Sequence, residues 1–285
     1  MNTKKGTEGM EQSSQKLFER IISAVILLSF IFLILRFGDY IGVQLLVLVI
    51  AGLCFYEYFN MLFPSDEFLH HKWLGLTLGM LTLFVHVAGY SEYVFDALAL
   101  GLFAFFLFYL SKSIELKVSI QDISYDLAFS VLGVFYICFF LGYFPLIRLL
   151  ENGEKWIILI LLIAWGSDIG AYIGGRTFGT RKLLPQVSPH KTVEGAYSGF
   201  VGAILFLELY KIFLFHSLSL FEVIFLGIVG SILSQIGDLC ESLLKRNFNV
   251  KDSGNVIPGH GGMLDCIDSV LFVAPFIYLY IRFVT

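Results

Sequence analysis

The chain has 285 residues, of which 57% are hydrophobic and 15% are charged, and its mean hydropathy is +0.81. Soluble domains carry about 25% charged residues. The composition therefore excludes a disordered chain and a disulfide-framed secreted domain, and it argues against a soluble globule. The net charge of −4 does not indicate nucleic-acid binding. An integral membrane protein with several spans is expected.

Residues 1–19 are polar and charged and predict a tail outside the fold. The rest of the chain contains about nine apolar stretches of the length that a membrane-spanning helix needs. The sequence thus predicts an all-α polytopic integral membrane protein. The predicted spans are 20–36, 41–58, 73–90, 94–111, 127–148, 156–173, 196–215, 220–237 and 265–284. The first is not predicted to be a cleavable signal peptide, because no small-residue cleavage site follows it.

Lys and Arg residues are retained in cytoplasmic loops. When successive loops are assigned to alternate sides, most of the 19 Lys and Arg residues fall on the side of the N-terminus. This asymmetry predicts a cytoplasmic N-terminus, a C-terminus outside, and cytoplasmic loops at 174–195 and 238–264. Polar residues enter the spans mainly in the second half. We therefore divide the chain into N-terminal helices, 20–150, and a functional region, 151–285.

Several carboxylates lie in or beside predicted spans, where a charge is costly and usually marks a site. Asp168 lies within a span, and the pairs Asp238 with Glu241 and Asp265 with Asp268 flank one loop. N-capping explains the second pair equally well. It explains the first pair poorly, because that pair is predicted at a helix C-terminus. Carboxylates and substrate phosphates suit Mg²⁺, so Asp168, Asp238, Asp265 and Asp268 are candidate metal ligands.

Both predicted cytoplasmic loops combine cations, hydroxyl groups and glycines, which is chemistry that binds phosphates. A solvated basic loop is the alternative for the loop at 238–264 taken alone, and in the loop at 174–195 Ser188, Thr192 and Glu194 could instead cap the following helix. The loop at 174–195 does not contain a Walker A motif. Together the two loops predict a polyphosphate substrate that approaches from the cytoplasm. The candidate substrate-binding residues are Arg176, Lys182, Ser188, Lys191, Lys245, Arg246, Gly259, Gly261 and Gly262.

A long spaced pattern extends over residues 242–268. It consists of Ser242, Lys245-Arg246, Lys251-Asp252, Pro258-Gly259-His260-Gly261-Gly262, Asp265 and Asp268. A second pattern upstream consists of Ser167-Asp168, Gly175-Arg176, Gly179, Lys182-Leu183, Ser188-Pro189, Lys191-Thr192 and Glu194-Gly195. Both resemble the phosphatidate cytidylyltransferase family, also called CDP-diacylglycerol synthase. The family usually has Arg where this chain has Cys266, and Lys where it has His190.

The resemblance implies that CTP and phosphatidic acid react to give CDP-diacylglycerol and pyrophosphate, with Mg²⁺ as cofactor and a second metal or K⁺ as an open question. It implies an integral protein of the bacterial inner membrane, a site that faces the cytoplasm, and a homodimer. Its implied catalytic residues are Asp238, Asp265, Asp268, Lys251, Asp252 and His260. The cations of the two patterns would hold the phosphates of CTP or of the lipid.

Two other functions fit parts of the sequence. A secondary transporter also carries intramembrane acids, but it should show an inverted repeat and acids toward both faces. We see neither in the sequence. A lipid-phosphate transferase of the CDP-alcohol type would carry an Asp-Gly-x-x-Ala-Arg stretch, which this chain lacks. The four cysteines form no Cys-x-x-Cys pair and do not indicate a zinc site.

Overall fold

The computed structural model describes residues 29–114, 119–257, 259 and 261–284. The chain is helical from residue 29 to residue 37, a segment we call α1, and nine further helices follow it. They are α2 Asp39–Leu62, α3 Leu69–Val87, α4 Val94–Lys112, α5 Ile120–Leu141, α6 Tyr143–Arg148, α7 Gly153–Phe178, α8 Val193–Phe213, α9 Leu220–Asn247 and α10 Met263–Val284. The predicted tail at 1–19 and the first part of the span at 20–36 lie outside the described residues.

Within the described chain, seven helical segments are long and apolar enough to cross a membrane. They are α2, α4, α7, α8, α9, α10 and the segment Ile120–Arg148, which contains α5 and α6. The predicted span at 73–90 corresponds to α3, whose three histidines and one lysine lower its hydropathy. The prediction of an all-α polytopic membrane protein is confirmed, whereas the orientation of the termini stays a prediction.

The predicted loop at 174–195 is largely ordered structure. Helix α7 continues to Phe178, and the chain then forms an antiparallel hairpin of β1 Lys182–Leu184 and β2 Ser188–Thr192. Thr192 caps α8, because its side chain accepts a hydrogen bond from Gly195 N. The capping role considered for Thr192 is therefore confirmed. The same role for Ser188 is wrong, because that residue lies at the start of β2.

The predicted loop at 238–264 begins later than expected, because α9 continues to Asn247. Lys245 forms an ion pair with Glu241 one turn earlier, and Lys245 and Arg246 lie in the last turn, where the helix dipole favours cations. Both features stabilise helix beyond the end of the apolar run. Asp238 and Glu241 therefore do not lie at a helix end, and the connection to α10 comprises only 248–262.

Glycines bring α7 and α8 into backbone contact. A Cβ atom at Gly170 of α7 would lie 2.5 Å from Ser198 O of α8, and one at Gly202 of α8 would overlap Gly166 O. Small residues at such spacing allow close helix approach in membrane proteins. The consequence is that Asp168 of α7 lies close to the start of α8 and to the hairpin.

Helix α10 joins the two halves of the chain. It packs against α7 and α9 from the second half and against α2, α5 and α6 from the first. The first half has an aromatic core in which Phe55 and Phe59 of α2 lie directly against Gly79 and Gly75 of α3. The position of α10 is thus set from both sides. The division of the chain near residue 150 stays a prediction.

Candidate active site

A cavity of about 500 Å³ opens between α7, the β-hairpin, α8 and α9. Four of the predicted site residues line it, namely Asp168, Arg176, Lys191 and Asp238. Asp168 and Arg176 are both on α7, and the helical rise places them roughly 12 Å apart along its axis. The cavity therefore reaches from the exposed end of α7 into the helix bundle. It also contains His190, at the position where the resembling family usually has Lys.

An ion pair crosses this cavity. Lys191 Nζ on β2 contacts Asp238 Oδ2 on α9, and both side chains are about one-quarter exposed. Ser242 Oγ, one turn further along α9, donates to Asp238 Oδ1 at 3.3 Å. The pair fixes the hairpin against α9. It also leaves one cation and one carboxylate accessible to a ligand in the cavity.

Asp268 of α10 lies behind this pair. Its side chain is buried and lies near the carboxylates of Asp238 and Asp168. The approach of the two helices is close, because a Cβ atom at Gly237 of α9 would lie 2.4 Å from the Asp268 backbone oxygen, so Gly is needed there. The structure thus brings together three of the four candidate metal ligands.

These three carboxylates fit one mode of Mg²⁺ binding. Within the described residues, no group of three His, Cys, Asp or Glu side chains is arranged to hold a metal by itself. Mg²⁺, however, is commonly held by one or two carboxylates, with substrate phosphates and water as its other ligands. Asp168, Asp238 and Asp268 supply oxygen ligands of this kind beside a cavity that contains cations. A metal here would thus be shared between the protein and a phosphate-bearing substrate.

Asp265 has a different environment. Its Oδ1 is 2.6 Å from Lys245 Nζ, and its Oδ2 accepts hydrogen bonds from Ser253 N and Gly262 N, both at 2.8 Å. Both carboxylate oxygens are therefore engaged within the chain. The structure gives Asp265 the N-capping geometry that the sequence left open, and it leaves Lys245 buried between Asp265 and Glu241.

In the glycine-rich segment before α10, two of the described amides donate to groups of the chain itself. Gly261 N donates to Ile257 O at 3.2 Å, and Gly262 N donates to Asp265 Oδ2. Gly261 has φ +100°, a conformation that favours glycine. The amides of Gly261 and Gly262 thus both donate within the chain, and the predicted contacts of the three glycines with substrate stay a prediction. His260 lies outside the described residues.

The remaining predicted cations fall into two groups. Arg246 is a structural clamp, because its Nε donates to Val187 O in the hairpin turn at 3.3 Å and its Nη1 donates to Val250 O at 3.0 Å. Arg176, Lys182 and Lys251 are exposed, and so is Asp252. Of these four residues only Arg176 lines the cavity.

Glu194 and Ser188 also belong to the hairpin region. Glu194 accepts hydrogen bonds from Thr180 N and Arg181 N at 3.1 and 3.2 Å, and its Oε1 pairs with Arg181 Nε at 3.1 Å. This carboxylate holds the end of α7 to the start of α8. Ser188 is half-buried in β2, opposite Leu184. The predicted role of Ser188 in substrate binding stays a prediction.

Sequence reasoning missed two polar residues near the site. Gln235 lines the cavity and donates to Ala196 O and Ser231 Oγ, both at 3.1 Å. Glu57 of α2 is almost fully buried and accepts hydrogen bonds from the first turn of α10. A signal existed for Glu57, because it is the only charged residue in the predicted span 41–58.

Comparisons with known proteins identify the family of the chain. The model of the cytidylyltransferase family matches residues 18–284. A phosphatidate cytidylyltransferase of Bacillus subtilis (strain 168) is 36% identical over 206 residues, which are 72% of this chain and 76% of the relative. The protein of that name from a Synechocystis species is 34% identical over 291 residues, covering 92% and 96% of the two chains. That from Thermotoga maritima is 40% identical over 158 residues, covering 53% and 57%.

The family match extends over nearly all of the chain, including every element that forms the cavity. The Synechocystis relative matches over almost its whole length as well. The chain therefore belongs to the cytidylyltransferase family, and it is a nucleotidyltransferase of the membrane.

Proposed function

We propose that the protein transfers the cytidylyl group of CTP to phosphatidic acid. The observation that carries this proposal is the similarity, over 92% of the chain, to a relative named phosphatidate cytidylyltransferase. The cavity supports it, because cations and carboxylates meet there among membrane helices. A charged nucleotide can enter from water while the acyl chains of the acceptor remain in the bilayer.

The reaction joins an oxygen of the lipid phosphate to the α-phosphorus of CTP. The bond between that phosphorus and the oxygen bridging to the β-phosphate breaks, and pyrophosphate leaves with the bonding electrons. The lipid phosphate is already an anionic nucleophile near neutral pH, so no strong general base is required. Such a transfer depends mainly on positioning and on neutralisation of charge.

Five charged residues in or beside the cavity have proposed roles in that task. Arg176 and Lys191 bind phosphate oxygens of the substrates, and Asp168, Asp238 and Asp268 would hold Mg²⁺. When bound, Mg²⁺ would neutralise the developing charge on the phosphates. Lys251 and Asp252 lie on the exposed connection before α10, where they could meet the substrates from outside the cavity. A second metal or K⁺ stays a prediction.

The location of the site supports the proposed orientation. The hairpin, the end of α7 and the end of α9 meet at one end of the bundle, where Arg176, Lys182, Lys191, Lys245, Arg246 and Lys251 also lie. Basic residues concentrate on the cytoplasmic side of membrane proteins. We therefore propose that the site faces the cytoplasm of a bacterium, from the inner membrane. A homodimer stays a prediction of the family resemblance.

Isotope transfer tests the reaction directly. Purified protein in detergent micelles is given phosphatidic acid, Mg²⁺ and CTP labelled at either the α- or the γ-phosphate. The proposal predicts that the α-label appears in the lipid phase and the γ-label appears in pyrophosphate. Label from the γ-phosphate in the lipid would show a kinase instead, and would overturn the proposal.

A further inference from the structure

We propose that Glu57, in the N-terminal half of the chain, is a positioning residue of the site. It lies on α2 and caps the N-terminus of α10, the helix that carries Asp268. This inference rests on the proposed function for its catalytic consequence, whereas its structural part stands on contacts alone. Glu57 is 2% exposed and lies near the end of α2. It is separated from the start of α10 by about 200 residues of chain, so it is not a local cap.

The hydrogen bonds of Glu57 satisfy the exposed amides of α10. Oε1 accepts from Met263 N at 2.8 Å, and Oε2 accepts from Leu264 N at 2.9 Å. The amides on either side are satisfied by other groups, because Gly262 N donates to Asp265 Oδ2 and Asp265 N lies 3.3 Å from Ser253 Oγ. All four N–H groups at the start of α10 thus have acceptors, and Glu57 supplies two of them.

Ser253 connects the two carboxylates. Its Oγ is 3.1 Å from Glu57 Oε2 and 3.0 Å from Asp265 Oδ2. A hydroxyl group has one proton, so Ser253 can donate to only one of the two carboxylates at a time, although it lies within hydrogen-bonding distance of both. Asp265 has Lys245 as its cation. For Glu57, the positive end of the α10 dipole stabilises the negative charge.

The connection before α10 is shaped around the Glu57 carboxylate. A Cβ atom at Gly254 would lie 2.8 Å from Glu57 Oε1, and one at Gly262 would lie 2.6 Å from Glu57 Oε2 and overlap Ser253 Oγ. Neither glycine has a positive φ. Glycine is therefore needed at these two positions because the carboxylate and Ser253 occupy the space that a Cβ atom would take.

The catalytic consequence follows from what α10 carries. Asp268 lies one turn beyond Asp265 on the same helix, and it interacts with Asp238 and Asp168 at the cavity. A misplacement of about 1 Å in a catalytic group can reduce turnover by 10²-fold. Loss of the Glu57 cap frees the first turn of α10 and moves Asp268 relative to Asp238. Among the described residues, the hydrogen-bond partners of Glu57 do not line the cavity, so we infer that Glu57 acts through α10.

The test uses the full-length protein in detergent and the variant Glu57→Gln, with Glu92→Gln as the matched control. Glu92 is exposed in the segment before α4. The side-chain amide of Gln has only one acceptor oxygen. One N–H group of α10 therefore faces the NH₂ group of Gln and loses its hydrogen bond. We expect amide hydrogen exchange at residues 263 and 264 to be about tenfold faster than in the control. We expect kcat to fall about 10- to 100-fold while KM for CTP stays within threefold.

Gly262→Ala tests the same contact with Glu57 intact and decides the matter if Glu57→Gln does not fold. It should give the same faster exchange and lower kcat, and the double variant should be little worse than either single variant. Unchanged exchange, or faster exchange with the kcat of the control, would overturn the positioning role. A wild-type protein that transfers no cytidylyl group would defeat the proposed function, while the exchange rates would still decide whether Glu57 holds α10.

Discussion

At the scale of single residues, the site is defined by how carboxylates are paired. Asp238 forms an ion pair with Lys191 at the cavity wall. Asp265, in contrast, is enclosed by Lys245 and two backbone amides. A partly exposed carboxylate that has one cation and one hydroxyl group as partners can exchange a partner for a ligand at modest cost. A buried carboxylate with several donors cannot, because those donors would be left unsatisfied.

Substitution of these two aspartates should therefore have different effects. Asp238→Asn should reduce kcat by about 10²- to 10³-fold and change the melting temperature little, because the site loses a charge that faces the substrate. Asp265→Asn should lower the melting temperature, with a loss of stability of about 3 kcal/mol, because Lys245 loses a partner in a buried network. Label transfer and thermal unfolding in detergent distinguish the two. Equal melting temperatures for both variants would contradict the assignment of Asp265 as a cap.

A variant of Arg246 can distinguish a structural role of this residue from a role in substrate binding. Its guanidinium group bridges the hairpin turn and the segment after α9, which a lysine ammonium cannot do in the same geometry. Arg246→Lys should increase amide exchange across 184–188 about fivefold and raise KM for CTP less than threefold. If KM rose strongly while exchange stayed at the wild-type rate, Arg246 would be a phosphate-binding residue, as the sequence predicts.

At the scale of elements, the contact between α7 and α8 places Asp168 within reach of the hairpin. The sequence shows the glycines of both helices, but it does not show which of them face each other. Gly202 and Gly166 meet across the contact, and neither has room for a methyl group. Tight packing of this kind tolerates added volume poorly.

Gly202→Ala should consequently destabilise the protein by about 2 kcal/mol, because its Cβ atom overlaps a backbone oxygen that cannot move freely. Gly101→Ala is the matched control, since Gly101 likewise lies within a membrane helix and nothing lies within 4 Å of its added Cβ atom. The control should be neutral or slightly stabilised. Thermal unfolding of both variants measures the difference, and similar melting temperatures would refute the packing argument.

At the scale of the whole molecule, the sequence predicted the class of fold well, because apolar length is set by the thickness of the bilayer. It placed the end of α9 and the start of the connection wrongly, because Lys245 and Arg246 look like loop residues when their partners are unknown. It missed Glu57 for the same reason. The role of a single acid at the end of an apolar span can be inferred only from the structure, which places the start of α10, about 200 residues later, beside it.

The distribution of Lys and Arg predicts how the whole molecule is oriented in the membrane, with the N-terminus in the cytoplasm and the C-terminus outside. Alkaline phosphatase is active only outside the cytoplasm. A fusion after residue 285 should therefore be active, and one placed after residue 251 should be inactive. The reverse pattern would place the cavity on the outer side, where no CTP is available, and would be incompatible with the proposed function.

Transfer of a cytidylyl group to a lipid phosphate requires that pyrophosphate be released. This release can be measured with the purified protein, phosphatidic acid and Mg²⁺, with CTP, ATP, GTP and UTP compared side by side. We expect release that requires both lipid and metal and that strongly favours CTP. Release independent of the lipid, or no release with any nucleotide from folded protein, would contradict the proposed function.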